Sequence, residues 1–115
     1  MSNEKLVAKN SKAIHPRRVS ISKMEKSCQE VSDLLRSLSH PQRLMILGYL
    51  TQGPKSVSEL GGLCDISQSQ LSQFLGRMKA ENLLKSERQG KYQYYAIADQ
   101  RLIQLIAVIQ NIFCR

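Results

Sequence analysis

From position 22 onward, apolar residues recur at the three- and four-residue spacing of a single helical face, broken by short polar stretches that open with serine. Over 22–38, Met24, Cys28, Val31, Leu34, Leu35 and Leu38 form one stripe. Over 40–52, Leu44, Met45, Leu47 and Leu50 face inward. Pro41 stands in the first turn there, where a missing amide hydrogen costs little, and Gly53-Pro54 ends the segment. A short third helix over 57–64 and a fourth over 68–81 follow, the fourth burying Leu71, Phe74, Leu75 and Met78. Each start carries a serine with Glu or Gln three positions later: Ser22 with Glu25, Ser39 with Gln42, Ser56 with Glu59, Ser67 with Gln70. In that spacing the two side chains each satisfy an amide that the first turn leaves without a partner. Four such signals, each leading into a helical period, predict four helices.

The period then changes. Residues 84–88, a Gln89-Gly90 turn and residues 91–98 read as a β-hairpin with a tyrosine-rich second strand, on which Tyr95 and Ile97 are expected inward and Tyr92 and Tyr94 outward. Asp99 then caps a last helix that runs to about 113. The predicted order is α1-α2-α3-α4-β-β-α5, a mainly α chain with a small β-hairpin wing. A short helix, a tight connection, a second helix and a hairpin make a winged helix-turn-helix. Residues 1–20 differ: Lys5, Lys9, Lys12, Arg17 and Arg18 stand against the single acid Glu4, with no sustained apolar period. They read as a flexible basic N-terminal tail on a winged domain over 21–115.

Charge narrows the partners. The chain of 115 residues has a formal net charge of +8, which favours polyanions, nucleic acid before membrane. No run of eighteen apolar residues exists, so no membrane span is expected. Without an apolar leader the expected compartment is the cytoplasm. Cys28, Cys64 and Cys114 are an odd number without Cys-x-x-Cys spacing, as free thiols in a reducing compartment would be.

Projected at about 100° per residue, residues 68–81 separate into two faces. Leu71, Leu75 and Met78 centre the buried one; Ser69, Gln73, Gly76 and Ala80 lie opposite, flanked by Ser72 and Arg77. A merely solvated helix would carry Glu/Lys ladders there. Small residues instead let a helix enter a DNA major groove, where Gln73 suits a bidentate contact to adenine and serines suit several base edges. Gln68 and Ser69, at the helix N-terminus, stand where this motif usually meets bases. Arg77 and Lys79 are expected on phosphates, and Arg88, Gln89 and Lys91 form a basic wing tip suited to the same backbone.

The last helix predicts a dimer. Leu102, Ile103, Leu105, Ile106, Val108, Ile109, Ile112 and Phe113 cover more than half its circumference, whereas packing on one core needs an arc of only about 100°. Leu102, Ile106, Ile109 and Phe113 are the expected interface residues, with the first helix beside them. Two reader helices related by a two-fold axis would address a pseudo-palindromic double-stranded operator.

The stretches LLRSLSHPQRLMILGYL, SVSELGGLCDISQSQLSQFLGRMKAENLL and YQYYAI resemble the ArsR/SmtB family of winged-helix repressors, over about residues 24–114. The resemblance implies a homodimer through α1 and α5, and repression relieved by an inducer, often a metal ion. The Cys-x-Cys of the family's metal sensors is absent, however: Glu59-Leu60 is followed by Gly61, Gly62 and Leu63, with Cys64 alone, and no histidine follows His40. Neither a metal site nor a cofactor is expected from such scattered ligands. The ending Ile112-Phe113-Cys114 is more similar to a thiol-sensing subgroup, whose members pair a second-helix cysteine with a last-helix one. Gly48 stands at the second-helix position here, which leaves Cys114, with Cys28 as a substitute partner, as redox candidates. Cys64 is expected in the core and His40 at a helix start.

The sequence therefore predicts a DNA-binding transcriptional regulator, a repressor, responsive to thiol oxidants or reactive sulfur. The alternatives are a metal-responsive repressor and a winged-helix interaction module without DNA reading. No paired carboxylates, G-x-S-x-G or phosphate-cradling glycine loop points to an enzyme.

Overall fold

The computed structural model describes residues 20–114, and the expected basic tail falls outside them apart from Ser20. The chain divides into two compact units between Asp33 and Leu34. In the first lies most of α1 (Ile21–Leu38), whose residues from Ile21 to Asp33 are all exposed; Gln29 Nε2 donates to Asp33 Oδ1 across one turn at 2.9 Å.

The second unit holds the end of α1 and then α2 (Pro41–Leu50), β1 (Lys55–Ser56), α3 (Val57–Leu63), α4 (Gln68–Ala80), β2 (Leu84–Gln89), β3 (Tyr92–Ile97) and α5 (Gln100–Phe113). All five predicted helices and the hairpin are present. The sheet adds a strand: β1 pairs antiparallel with β3, Lys55 opposite Tyr95 and Ser56 opposite Tyr94, in the order β1-β3-β2. Two residues carry no alternation to read, so this strand exists only through its partner.

Two of the four cap assignments change. Ser20, not Ser22, opens α1: its carbonyl accepts from Met24 N and its hydroxyl from Lys23 N. His40, not Ser39, caps α2 through Nδ1, which accepts from Gln42 N at 3.2 Å, while Ser39 Oγ turns back to donate to Arg36 O and closes α1. Ser56 and Glu59 form the full reciprocal box of α3, and the hydrogen bonds from Ser56, backbone first and hydroxyl second, hold the Glu59 carboxyl below its ordinary range, with Lys55 nearby adding to it. Ser67 caps α4 through Gln70 N.

One core is common to these elements. Ile46, Leu47 and Leu50 of α2, Leu60 and Cys64, Leu71, Leu75 and Met78 of α4, Leu84 and Ile97 of the hairpin, and Leu102 and Ile106 of α5 are buried in it. Met45, predicted inward, is 53% exposed and Ile46 takes its place, because α2 is apolar nearly all round and its period cannot choose between them. Tyr95 packs against the core and Ile97 is buried, as their alternation requires, while Tyr92 is exposed.

Candidate nucleic-acid interface

The face that defines this site begins with Ser67, which fixes the entry angle of α4, and ends with a reversal at Asn82. There Asn82 adopts φ 64°, Leu83 N donates to Met78 O at 2.9 Å and Asn82 N to Lys79 O at 3.0 Å. This is a Schellman closure with asparagine at the left-handed position, and the buried pair Met78 and Leu83 supplies its usual hydrophobic clasp. The chain thus leaves α4 directly into the wing.

Between those ends, Leu71, Leu75 and Met78 are fully buried, and Gln68, Ser69, Ser72, Gln73, Gly76, Arg77 and Ala80 are exposed. Nothing lies within 4 Å of where a Cβ would stand on Gly76, so the middle of the face is open. Each reader residue predicted from the helical projection is on the outside.

The hairpin register extends to Gln89 opposite Tyr92, so the turn is Gly90-Lys91, one residue later than predicted. Gly90 has φ 64°, and Lys91 lies outside the positive-φ region, the pattern of a type II′ turn that needs glycine first. Arg88, Gln89 and Lys91 are exposed at this tip, and Arg88 Nε donates to Gly90 O at 3.3 Å. Lys79, expected on a phosphate, is exposed, and its ammonium donates to Ser86 Oγ at 2.6 Å, which links α4 to β2. Ser37 Oγ donates to Glu81 Oε1 at 2.8 Å and ties the end of α1 to the same corner.

The predicted interface residues of α5 separate. Leu102 is 1% and Ile106 2% exposed, so both are consumed by the protomer's own core and cannot serve a partner. Ile109 is half-buried, and Val108, Ile112 and Phe113 remain exposed, Phe113 at 78%. The surplus apolar face is real but is displaced toward the C-terminal end of the helix. Periodicity identifies the surplus; it cannot say which side of the helix the core claims.

All three cysteines are free thiols. Cys64 is buried, and burial pushes its thiol up, away from the reactive thiolate. Cys28 is exposed on α1. Cys114 is the exposed C-cap residue of α5 and lines a groove with Leu44, Met45, Gly48, Ile109 and Gln110. Gly48 and Cys114 therefore border one groove, in which a Cβ on Gly48 would stand in ordinary contact with Gln110 Nε2 at 3.6 Å, and Gly48 offers no thiol to pair with Cys114. Among the described residues no group of three or more His, Cys, Asp or Glu side chains could hold a metal ion.

Two residues at the edge of this interface escaped sequence reasoning. Arg43 of α2 lays its guanidinium 5.6 Å from the ring centroid of Phe74, which is only half-buried on α4. Phe74 in turn tilts against His40 at 4.9 Å. Helical period alone assigns Phe74 to the core, and an arginine on an apolar helix has no local signature.

Comparisons with known proteins agree with this geometry. Residues 40–86 match the family model described as bacterial regulatory protein, arsR family. The biofilm growth-associated repressor of Agrobacterium fabrum is 41% identical over 91 residues, covering 79% of this chain and 78% of that protein. The crystal structure of the transcriptional repressor BigR from Xylella fastidiosa superposes with a TM-score of 0.80 at 36% identity, covering 84% of this chain and 99% of that one. The homodimeric winged helix-turn-helix DNA-binding domain of a possible ArsR-family regulator from Mycobacterium bovis gives a TM-score of 0.67 at 25% identity, covering 83% of this chain and 88% of that one. With a shared fold and identity sustained over nearly the whole described chain, the protein belongs to the arsR family of bacterial regulatory proteins.

Proposed function

We propose that this protein is a transcriptional repressor that binds a pseudo-palindromic double-stranded operator as a homodimer. The observation that carries the reading is the outward face of α4: Ser69, Ser72, Gln73 and Gly76 are exposed, small or amide-bearing, and free of acidic groups. Such a face fits into a major groove, with Gln73 on adenine and Gln68 and Ser69 leading at the N-terminus. Arg77, Arg88 and Lys91 then meet the sugar-phosphate backbone, supported by the net charge of +8. The repressors of Agrobacterium fabrum and Xylella fastidiosa and the homodimeric Mycobacterium bovis domain support the same assignment. The exposed Val108, Ile112 and Phe113 provide the apolar surface that a second copy would cover. The protein acts in the cytoplasm, where its DNA and its free thiols belong, and performs no catalysis. No helix of the described residues is long and apolar enough to cross a membrane.

The test is binding of the full chain to its own promoter region against random duplex, at several salt concentrations. A repressor protects two half-sites about one DNA turn apart and loses affinity steeply with salt. Equal affinity for promoter and random duplex would remove sequence-specific repression, and leave the interaction module, in which the same fold sequesters a protein partner.

For the released state, the exposed Cys114 thiol at the rim of the α2–α5 groove favours a thiol oxidant or reactive sulfur species as the signal. Treatment with peroxide and with a persulfide, followed by mass mapping of Cys28, Cys64 and Cys114, checks this. Unmodified thiols with unchanged operator affinity would eliminate it.

A further inference from the structure

Beside the reader face lies a hollow of about 440 Å³, lined by Arg43, Ser72, Gln73, Phe74, Gly76 and Arg77. Its lining contains two guanidinium groups, a hydroxyl and an amide, and no carboxylate. Arg43 is half-buried and stacked over Phe74, and its Nη1 reaches the carbonyl of Ser37 at 3.3 Å. Its Nε is buried and has no acceptor among the described residues. A buried donor without a partner is costly, and native proteins seldom leave one without a use. A guanidinium offers five donors in a planar fork, and this one is held in orientation by an aromatic face on one side and a backbone carbonyl on the other. Arg77, exposed on the next turn after Gln73, brings a second cation to the same hollow.

The geometry points to a seat for one DNA backbone phosphate, gripped by Arg43 from α2 and Arg77 from α4, with Ser72 Oγ as a further donor and Phe74 as the positioning residue that holds Arg43. A phosphodiester supplies one negative charge and two non-bridging oxygens, which a guanidinium fork binds in a bidentate manner. The seat borders Gln73, so a phosphate bound there fixes the depth and register at which Gln73 meets its base; phosphate contacts position and base contacts specify. This deepens the DNA-binding reading and rests on it. Lys79, tied to Ser86, plays no part.

The test uses the full chain with wild-type, Arg43→Gln, Arg43→Lys, Arg77→Gln and Phe74→Leu proteins, and measures promoter and random-duplex affinity against salt. Each Gln variant should lower the slope of log affinity on log salt, by no more than the value of about 0.9 that the one shared phosphate contributes, and weaken both duplexes alike. Arg43→Lys should retain the slope but bind more weakly, because a point charge replaces the fork. Phe74→Leu should weaken binding with the charge still present. Single methylphosphonate substitutions should reveal a position whose neutralisation weakens the wild type more than it weakens Arg43→Gln. If Arg43→Gln fails to fold for want of its Ser37 contact, Arg77→Gln, at an exposed position, decides the matter. A wild type that binds the promoter with normal specificity while Arg77→Gln and any folded Arg43 variant keep its slope and affinity would overturn the seat alone. A wild type that binds no duplex would overturn the seat and the repressor reading together. Saturable binding of inorganic phosphate at constant ionic strength, seen at the Gly76 and Arg77 amides with the duplex slope unchanged in Arg77→Gln, would make the hollow a free-oxyanion site and reject DNA as its source.

Discussion

Helices α4 and α5 are nearly equal in length and are anchored alike. Each sends apolar side chains at helical spacing into the same core, Leu71, Leu75 and Met78 from one, Leu102 and Ile106 from the other. Their outward faces are opposites. On α4 the exposed positions include Ser69, Ser72, Gln73 and Gly76, with Arg77 beside them, while on α5 they include the large apolar Val108, Ile112 and Phe113. A polar, uncharged, low-relief face retains hydrogen bonds that water or base edges can satisfy, so it is stable exposed and remains specific when docked. A face ending in Phe113 has no such choice, and removing it from water is favoured by about 25 cal/mol per Å² of apolar area. The comparison shows how one small core can support two partner surfaces of different chemistry, one wet and one dry.

The largest effect should come from the dry face. Phe113→Glu should convert a dimer to a monomer in sedimentation, raising the dissociation constant at least about thirtyfold, the scale of an aromatic interface anchor. Operator affinity should fall with it. Gly76→Ser on α4 should leave the oligomeric state untouched. If both variants sediment as the wild type does, the division of labour between the helices is wrong.

The wet face should respond in specificity. Gln73→Ala should cost about 1–3 kcal/mol at a single base position while leaving random-duplex affinity nearly unchanged. Lys91→Gln at the wing tip should weaken all duplexes equally. A base-substitution panel titrated against both variants separates the two outcomes, and identical profiles would contradict the assignment of Gln73 to bases.

The two helix starts provide a smaller contrast. Ser67→Ala removes the hydroxyl that accepts from Gln70 N and should destabilise the fold by about 1 kcal/mol, visible as a lowered melting temperature. Circular dichroism on heating measures it.

The smallest effect is in acid. Asp99 caps α5 by accepting from Arg101 N and pairs with the Arg101 guanidinium at 2.7 Å; these bonds hold its carboxyl below the ordinary range, side-chain contact first. A carboxyl with a depressed folded-state pKa contributes stability that is complete above its unfolded pKa of about 3.9 and is lost as pH falls through the lower, folded value. Amide exchange at Arg101 and Leu102 should therefore accelerate in that acid window relative to the intrinsic rate, and the first turn of α4, capped by a neutral hydroxyl, should not follow. Asp99→Asn should abolish the difference; a persistent one would assign it to another group.

Much of this molecule was legible locally. Helix order, the Ser56–Glu59 box, the Ser67 and Asp99 caps and the outward polar face of α4 all depend on residues within one or two turns of each other, and the structure reproduces each. Two predicted serine caps failed for a local reason as well. Ser20 and His40 lie two residues and one residue from the expected serines and offer competing acceptors, and a pattern of spacing cannot rank them.

What the chain determines by itself is its set of segments and the chemistry of each face, because helical period, capping and turn residues act over a few positions. Tertiary structure decided the rest. It made Lys55–Ser56 a strand by giving it β3, chose Ile46 over Met45 for the interior, spent Leu102 and Ile106 on the protomer's own core, and brought Arg43 over Phe74 beside Arg77. Those outcomes depend on contacts between residues remote in the chain, where several arrangements satisfy the same local pattern and only packing selects one.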